Sequence, residues 1–195
     1  RAKYIIPYCI AHPKAVWQGI ISMRGAITIL ILAWIISTVV SEMHTGEYLS
    51  TLVAGNIHAG FLPVILFMLA GVMAFATGTS WGTFGIMLPI AAAMAVKVEP
   101  SLIIPCMSAV MAGAVFGDHC SPISDTTILS STGAHCNHID HVTSQFPYAL
   151  TVAASAAMGY LALGMTGSAP LGFVVTGIAM VVLILILKDK KKATA

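Results

Sequence analysis

Charged side chains are scarce in this sequence. Asp, Glu, Lys and Arg make up 8% of its 195 residues, against about 25% in a typical soluble domain. Together with 58% hydrophobic residues and a mean hydropathy of +0.94, this deficit excludes an ordinary soluble domain. The net charge is only +2, and no basic face for nucleic acid is present. The composition therefore predicts a membrane protein with lipid as its main surroundings.

The sequence also lacks a disulfide or metal framework. Its four cysteines have no framework spacing, so we expect free thiols. Neither a C-x-x-C pair nor an H-E-x-x-H helix occurs, so the His-rich segment 134–145 is interpreted as a solvated loop rather than a zinc site. A pH-sensing role for His135, His138 and His141 is a further hypothesis. No redox cofactor or nucleotide is implied, and we expect no cofactor.

Apolar runs divide the chain into membrane segments. They predict a full span at 22–40, a short interfacial helix at 47–58 and two ordinary spans at 146–163 and 171–187. The basic tail 188–195 should lie in the cytoplasm, because short basic segments stay on that side. We interpret residues 1–195 as a single transmembrane domain. Since the chain begins with Arg1 and shows no signal peptide, we expect it to be part of a longer protein.

Two segments predict discontinuous elements. Residues 61–96 are apolar except for a polar centre at 77–83, and helical arms at 61–76 and 86–96 would reach roughly 24 and 17 Å, against roughly 30 Å of hydrocarbon. This pattern predicts a re-entrant hairpin. Residues 101–116 should form a helix that breaks at 117–125 and resumes at 126–132. The predicted fold is an all-α polytopic bundle, half of an inverted-repeat transporter fold whose mirrored half lies upstream or on another chain.

The break carries two acids, Asp118 and Asp125, on either side of Pro122. An Asp at the centre of a membrane helix is unfavourable by about 2.5–3.5 kcal/mol. A proline in mid-helix also frees backbone groups that hydrocarbon cannot satisfy. The segment therefore predicts a protein-lined, partly wet cavity that binds an ion.

Two motifs, TGTSWGT at 77–83 and FGDHCSPISDTT at 116–127, resemble the C-terminal part of NhaC-family sodium/proton antiporters. The resemblance implies a multi-pass carrier of the bacterial inner membrane that exchanges Na⁺ for H⁺. It also implies relatives that exchange organic acids such as malate and lactate, which leaves an organic-acid antiporter as an alternative. Because members of such families are longer than this chain, we expect a missing N-terminal half or a homo-oligomer, and an inactive truncated fragment is a further alternative.

A cation-for-proton exchanger needs a carboxylate that binds Na⁺ when ionised and is neutralised by H⁺ when the ion leaves. Asp125 is favoured as the ion ligand and Asp118 as the proton carrier or second ligand, with the reverse assignment left open. Na⁺ is a hard cation that takes oxygen ligands. Five hydroxyls are candidates: Thr79, Ser80, Ser121, Ser124 and Thr126. A purely structural alternative is that the acids cap helix ends and that 77–83 is a close-packed turn.

A different class of function is suggested by residues 78–82, which match G-x-S-x-G. In a hydrolase this motif would present Ser80 as a nucleophile, with His119 and Asp125 as partners. The motif requires a preceding strand, and residues 67–76 are rich in Met, Ala and Leu and do not resemble one. The sequence therefore favours a carrier over a membrane hydrolase.

Overall fold

The computed structural model describes residues 13–22, isolated positions between 31 and 48, and residues 58–193. Within these residues the regular elements are all helical, as predicted. The longer helices are α1 (Pro13–Ser22), α2 (Leu62–Thr77), α3 (Ser80–Val98), α4 (Ile103–Cys120), α5 (Asp125–Gly133), α6 (His138–Thr166) and α7 (Ala169–Ala193). Single 3-10 turns, Ala59–Phe61 and Pro100–Leu102, precede α2 and α4. The predicted span 22–40 and interfacial helix 47–58 fall almost entirely outside the described residues.

Five helical segments of the described chain are long and apolar enough to cross a membrane. They are Ala59–Thr77, Ser80–Val98, Pro100–Cys120, His138–Thr166 and Ala169–Leu187. The predictions at 146–163 and 171–187 therefore each correspond to a helix of sufficient length and hydropathy to cross a membrane, but both helices are longer than predicted. The predicted basic tail 188–195 begins as a continuation of α7, which ends at Ala193.

The turn between α2 and α3 is shorter than the predicted tip at 77–83. Gly78 adopts a left-handed conformation (φ 68°) and donates its N–H to Ala74 O, which ends α2. The Thr79 side chain accepts from Gly82 N and so caps α3. Because residues 80–83 already form the first turn of α3, the prediction of a short second arm at 86–96 was wrong. The re-entrant depth of this hairpin stays a prediction.

The predicted helix break is confirmed, but it covers residues 121–124 rather than 117–125. The helix α4 continues to Cys120, and Ser121 N bonds to Asp118 O at 3.1 Å. Pro122 has no N–H and cannot continue the helical hydrogen bonding. The chain resumes as α5, close to the predicted half-helix at 126–132.

The predicted His-rich loop at 134–145 is also corrected. Only residues 134–137 lie outside the helices, because α6 begins at His138. Asn137 caps this helix, its Oδ1 accepting from Ile139 N at 2.9 Å and from Asp140 N at 3.4 Å. A capping Asn satisfies N–H groups that otherwise lack a partner at a helix start. His138 and His141 are therefore helical residues.

The helices α2 and α4 pack with their backbones in contact. A Cβ atom added to Gly113 would overlap the carbonyl oxygen of Phe67, and one added to Gly117 would overlap that of Gly71. Small residues permit this approach between membrane helices. Beside this contact, Leu66 and Ala70 of α2 belong to a buried core shared with α3 and α4.

Aromatic packing joins α6 to this pair. The Phe67 ring lies 6.1 Å from Phe116 and 5.5 Å from Tyr160, measured between ring centroids. Tyr160 Oη also donates to Ser108 O at 3.0 Å. The phenol of Tyr160 therefore ties α6 to α2 through its ring and to α4 through its hydroxyl.

The contact between α2 and α4 yields a stability prediction. Gly113→Ala should lower the free energy of unfolding by about 1–3 kcal/mol, because the new methyl group forces the two backbones apart. Gly177→Ala is the control, since nothing lies within 4 Å of a Cβ at that position. Unfolding of both variants in mixed detergent micelles, followed by circular dichroism, measures the difference. Equal stabilities would contradict the packing.

Candidate functional site

Asp118 lies in the last turn of α4, and its side chain is only 5% exposed. Its carboxylate accepts two hydroxyl hydrogen bonds. Ser80 Oγ donates to Oδ2 at 3.1 Å, and Ser124 Oγ donates to Oδ1 at 2.6 Å. The start of α3, the end of α4 and the break before α5 therefore meet at one buried acid.

Local structure explains how Ser80 reaches this acid. The turn at Gly78 reverses the chain, and the cap at Thr79 makes Ser80 the first residue of α3. The hydroxyl is then close to the helix N-terminus, where the helix dipole favours a negative group. This placement adds a second favourable interaction for the carboxylate of Asp118.

The hydroxyl of Ser124 connects the buried acid to an exposed residue. Ser124 is fully buried, and its Oγ lies 2.7 Å from Thr126 Oγ1. Ser124 donates its single hydroxyl proton to the carboxylate of Asp118, which accepts it. In the contact with Thr126, the Ser124 oxygen must therefore be the acceptor. Thr126 is exposed. A chain of hydroxyls thus leads from the exposed Thr126 to the buried acid.

Two of the predicted hydroxyl residues shape the backbone. Thr79 caps α3, and its carbonyl oxygen accepts from Thr83 Oγ1 at 3.0 Å. Ser121 is fully buried, and its Oγ accepts from Ile123 N at 3.4 Å within the break. Thr79 precedes Ser80 and Ser121 follows Asp118 by three residues. The observed contacts of both residues are with nearby groups of their own segments.

Asp125 differs from Asp118 in its surroundings. It is exposed and is the first residue of α5. A negative charge is favourable at this position because of the helix dipole. The hydrogen bonds to Asp118 come from Ser80 and Ser124, so Asp125 takes no part in them.

Sequence reasoning missed two residues at this site. His138 and Gln145, near the start of α6, contact backbone carbonyls of the broken helix. Every residue has a backbone carbonyl, so residue types do not show which carbonyl a side chain will contact. The only signal was the presence of His138 in a His-rich segment, for which a solvated loop, a metal site and a pH-sensing role were considered instead.

The hydrolase and zinc alternatives find no support in this geometry. The segment before Ser80 is the helix α2, whereas a nucleophile elbow requires a strand. Ser80 Oγ donates to a carboxylate, and His119 Nδ1 lies 2.8 Å from Val115 O. No group of three His, Cys, Asp or Glu side chains suited to a metal occurs among the described residues. The described cysteines, Cys106, Cys120 and Cys136, are free thiols as predicted, and Cys9 lies outside them.

The short contact between Ser124 and Asp118 can be tested by a double-mutant cycle. Ser124→Ala and Asp118→Asn should each change the free energy of unfolding, and their effects should be non-additive by about 0.5–3 kcal/mol because the two groups are in direct contact. Ser130→Ala paired with Asp118→Asn is the control, since Ser130 Oγ donates to Thr126 O instead. Additive effects for the Ser124 pair would contradict the contact. Detergent unfolding curves of the wild type, the three single variants and the two double variants give the energies for both cycles.

Apolar helices that surround a buried acid at a helix break are features of transporters built from discontinuous membrane helices. The model of the Na⁺/H⁺ antiporter family matches residues 10–165. The chain therefore belongs to this family, and the resemblance to NhaC-type antiporters is confirmed at that level. The chain has no significant match among solved structures.

Three relatives show the range of this similarity. An uncharacterized protein of Haemophilus influenzae is 63% identical over 172 residues, which cover 88% of this chain and 33% of the relative. A malate-2H⁺/Na⁺-lactate antiporter of Bacillus subtilis is 30% identical over 135 residues, 66% of this chain and 27% of its own length. The arginine/ornithine antiporter ArcD of Halobacterium salinarum is 34% identical over 164 residues, 80% of this chain and 31% of its own. The chain thus spans a third or less of the length of each.

Proposed function

We propose that this chain forms the cation site of a membrane antiporter that exchanges Na⁺ for H⁺. The observation that carries the proposal is the buried carboxylate of Asp118, with hydroxyls on both of its oxygens. A buried acid is costly within a membrane and is retained there for function. Membership in the Na⁺/H⁺ antiporter family supports the same chemistry.

The exchange follows from competition for one carboxylate. In the structure Ser80 and Ser124 donate their hydroxyl protons to Asp118. When Na⁺ arrives, both hydroxyls rotate and offer lone pairs, so the ion gains carboxylate and hydroxyl oxygens as ligands. When the carboxyl is protonated it loses the charge that holds Na⁺. One acid then carries either the ion or the proton, which is the requirement for antiport.

Asp118, rather than Asp125, is proposed as this shared acid. Burial and two hydroxyl donors favour Asp118, whereas Asp125 is exposed at the start of α5. Asp125 is proposed as a second acid that attracts cations towards the break. Thr126 gives the hydroxyl chain an exposed end, and Thr79 and Ser121 maintain the backbone around it.

The charges of the described chain favour a cation over an organic acid. A basic side chain within the membrane would favour binding of a substrate carboxylate, and Lys97 is the only Lys or Arg between residues 58 and 187. It is exposed near the end of α3.

The location proposed for the protein is the bacterial cytoplasmic membrane, with the tail 188–195 in the cytoplasm. The chain covers 33% of its Haemophilus relative, and we propose that a further half or a second copy completes the transporter.

The test is Na⁺-triggered pH change in everted vesicles from antiporter-deficient cells that express the chain. Asp118→Asn should reduce the rate of exchange at least roughly tenfold, because hydrogen bonds and ion contacts to a charged group are lost together. Asp125→Asn should reduce it less. Asp140→Asn is the matched control, an exposed acid in the first turn of α6, and should leave the rate unchanged.

Full activity of Asp118→Asn would contradict the proposal. If the wild-type chain is inserted in the membrane and its vesicles show no Na⁺-triggered pH change, exchange by this chain alone is contradicted. The same vesicles would then receive gradients of malate, lactate, arginine and ornithine, the substrates in the names of two relatives.

A further inference from the structure

The helix break between α4 and α5 leaves backbone carbonyls that need partners. Two of them are satisfied locally. Asp118 O accepts from Ser121 N at 3.1 Å, and Ser121 O accepts from Ser124 N at 3.3 Å. The carbonyls of His119 and Pro122 instead accept hydrogen bonds from another helix.

These partners are His138 and Gln145 of α6, here called the α6 polar pair. His138 Nε2 lies 2.7 Å from Pro122 O, and Gln145 Nε2 donates to His119 O at 2.9 Å. A carbonyl oxygen can only accept, so the proton of His138 is on Nε2 in this contact. The polar pair thus contacts one carbonyl before the break residues and one within them.

His138 also reaches α5. Its Nδ1 lies 3.1 Å from Ser131 Oγ, a side chain that is 2% exposed. One imidazole ring therefore connects the break, through Pro122, with the helix that follows it. Any displacement of α6 relative to the broken helix must break these contacts or move the break with it.

Apolar burial does little to hold Pro122 and Ile123, the two break residues that are not buried, in place. Pro122 is exposed, and Ile123 is 61% exposed. On the side of the α2–α3 turn, a Cβ at Gly78 would lie 2.8 Å from Ile123 Cγ1, so the turn limits movement there. On the other side the hydrogen bonds come from α6. The position of Ser124, two residues after Pro122, therefore depends on these polar contacts.

We propose that the α6 polar pair positions the cation site by holding the break where Ser124 hydrogen-bonds to Asp118. The effect of the pair on Na⁺ exchange rests on the proposed function, whereas its effect on the position of the break does not. Because the contact is 2.6 Å long, a displacement of the break by about 1 Å removes a normal hydrogen bond.

The first readout follows the break itself. Cys120 is 3% exposed and immediately precedes the break, so its labelling by a maleimide reports local opening. In a chain with Cys9→Ser, Cys106→Ala and Cys136→Ser, Gln145→Ala removes the hydrogen bond to His119 O, and His138→Ala removes the contacts with Pro122 O and Ser131 Oγ. Each change should accelerate labelling of Cys120 roughly two- to tenfold.

Three controls separate positioning from unfolding. His138→Gln restores an N–H donor and should return the labelling rate towards that of the wild type. His141→Ala removes another histidine of α6 and should have no effect. A second single-cysteine chain retains Cys106, which is fully buried in α4. Its labelling should stay slow in every variant, whereas global unfolding would accelerate both cysteines.

The second readout is the Na⁺ concentration for half-maximal exchange in everted vesicles. It should rise roughly two- to tenfold in His138→Ala and Gln145→Ala, with a smaller change in the maximal rate, and His138→Gln should restore it. Unchanged labelling of Cys120 would overturn the inference. Faster labelling with an unchanged half-saturating concentration would also overturn it, since the pair would then be structural only. If the wild type shows no exchange, the proposed function fails alone and the labelling rates still decide whether the pair holds the break.

Discussion

The hydrogen bonds of one buried carboxylate constrain the rest of this structure. Asp118 is 5% exposed and accepts from Ser80 and Ser124, which belong to different segments. A buried acid without donors would be strongly unfavourable. The start of α3, the end of α4 and the break before α5 must therefore converge. The fold can be understood as the set of contacts that brings these three chain segments to one point.

Glycine packing supplies the most rigid of these contacts. Gly113 and Gly117 allow the backbone of α4 to touch that of α2, and the left-handed Gly78 then reverses the chain into α3. Through this reversal Ser80 faces Asp118 from α3. The opposite side of the break depends on polar contacts from α6, which are weaker than backbone packing and easier to rearrange. A tight α2–α4 pair and a more adjustable break suit the proposed cation site, which would have to bind and release an ion.

The sequence predicted the helical fold and the broken helix, because polar residues are conspicuous between apolar runs. It also named Asp118, Ser80 and Ser124 among the candidate site residues, and the structure brings these three together; their role in ion binding stays a prediction. The sequence favoured Asp125 over Asp118 as the ion ligand, because burial depends on how α3 and α4 pack and cannot be read from residue type. The bounds of the break were wrong because Gly117 to Cys120 remain helical against α2. The α6 polar pair was missed because its partners are backbone carbonyls 16 and 26 residues away, which have no signature in residue type.

The most direct test of Na⁺ binding at Asp118 is the thermal stability of the purified chain in detergent, with Na⁺ replacing choline at constant ionic strength. A ligand that binds the folded state raises the unfolding temperature as its concentration increases. The wild type and Asp140→Asn should show this rise, and Asp118→Asn should show none. The assignment of the cation site would be contradicted if Na⁺ did not change the unfolding temperature of the wild type. It would also be contradicted if Na⁺ raised the unfolding temperature of Asp118→Asn by the same amount.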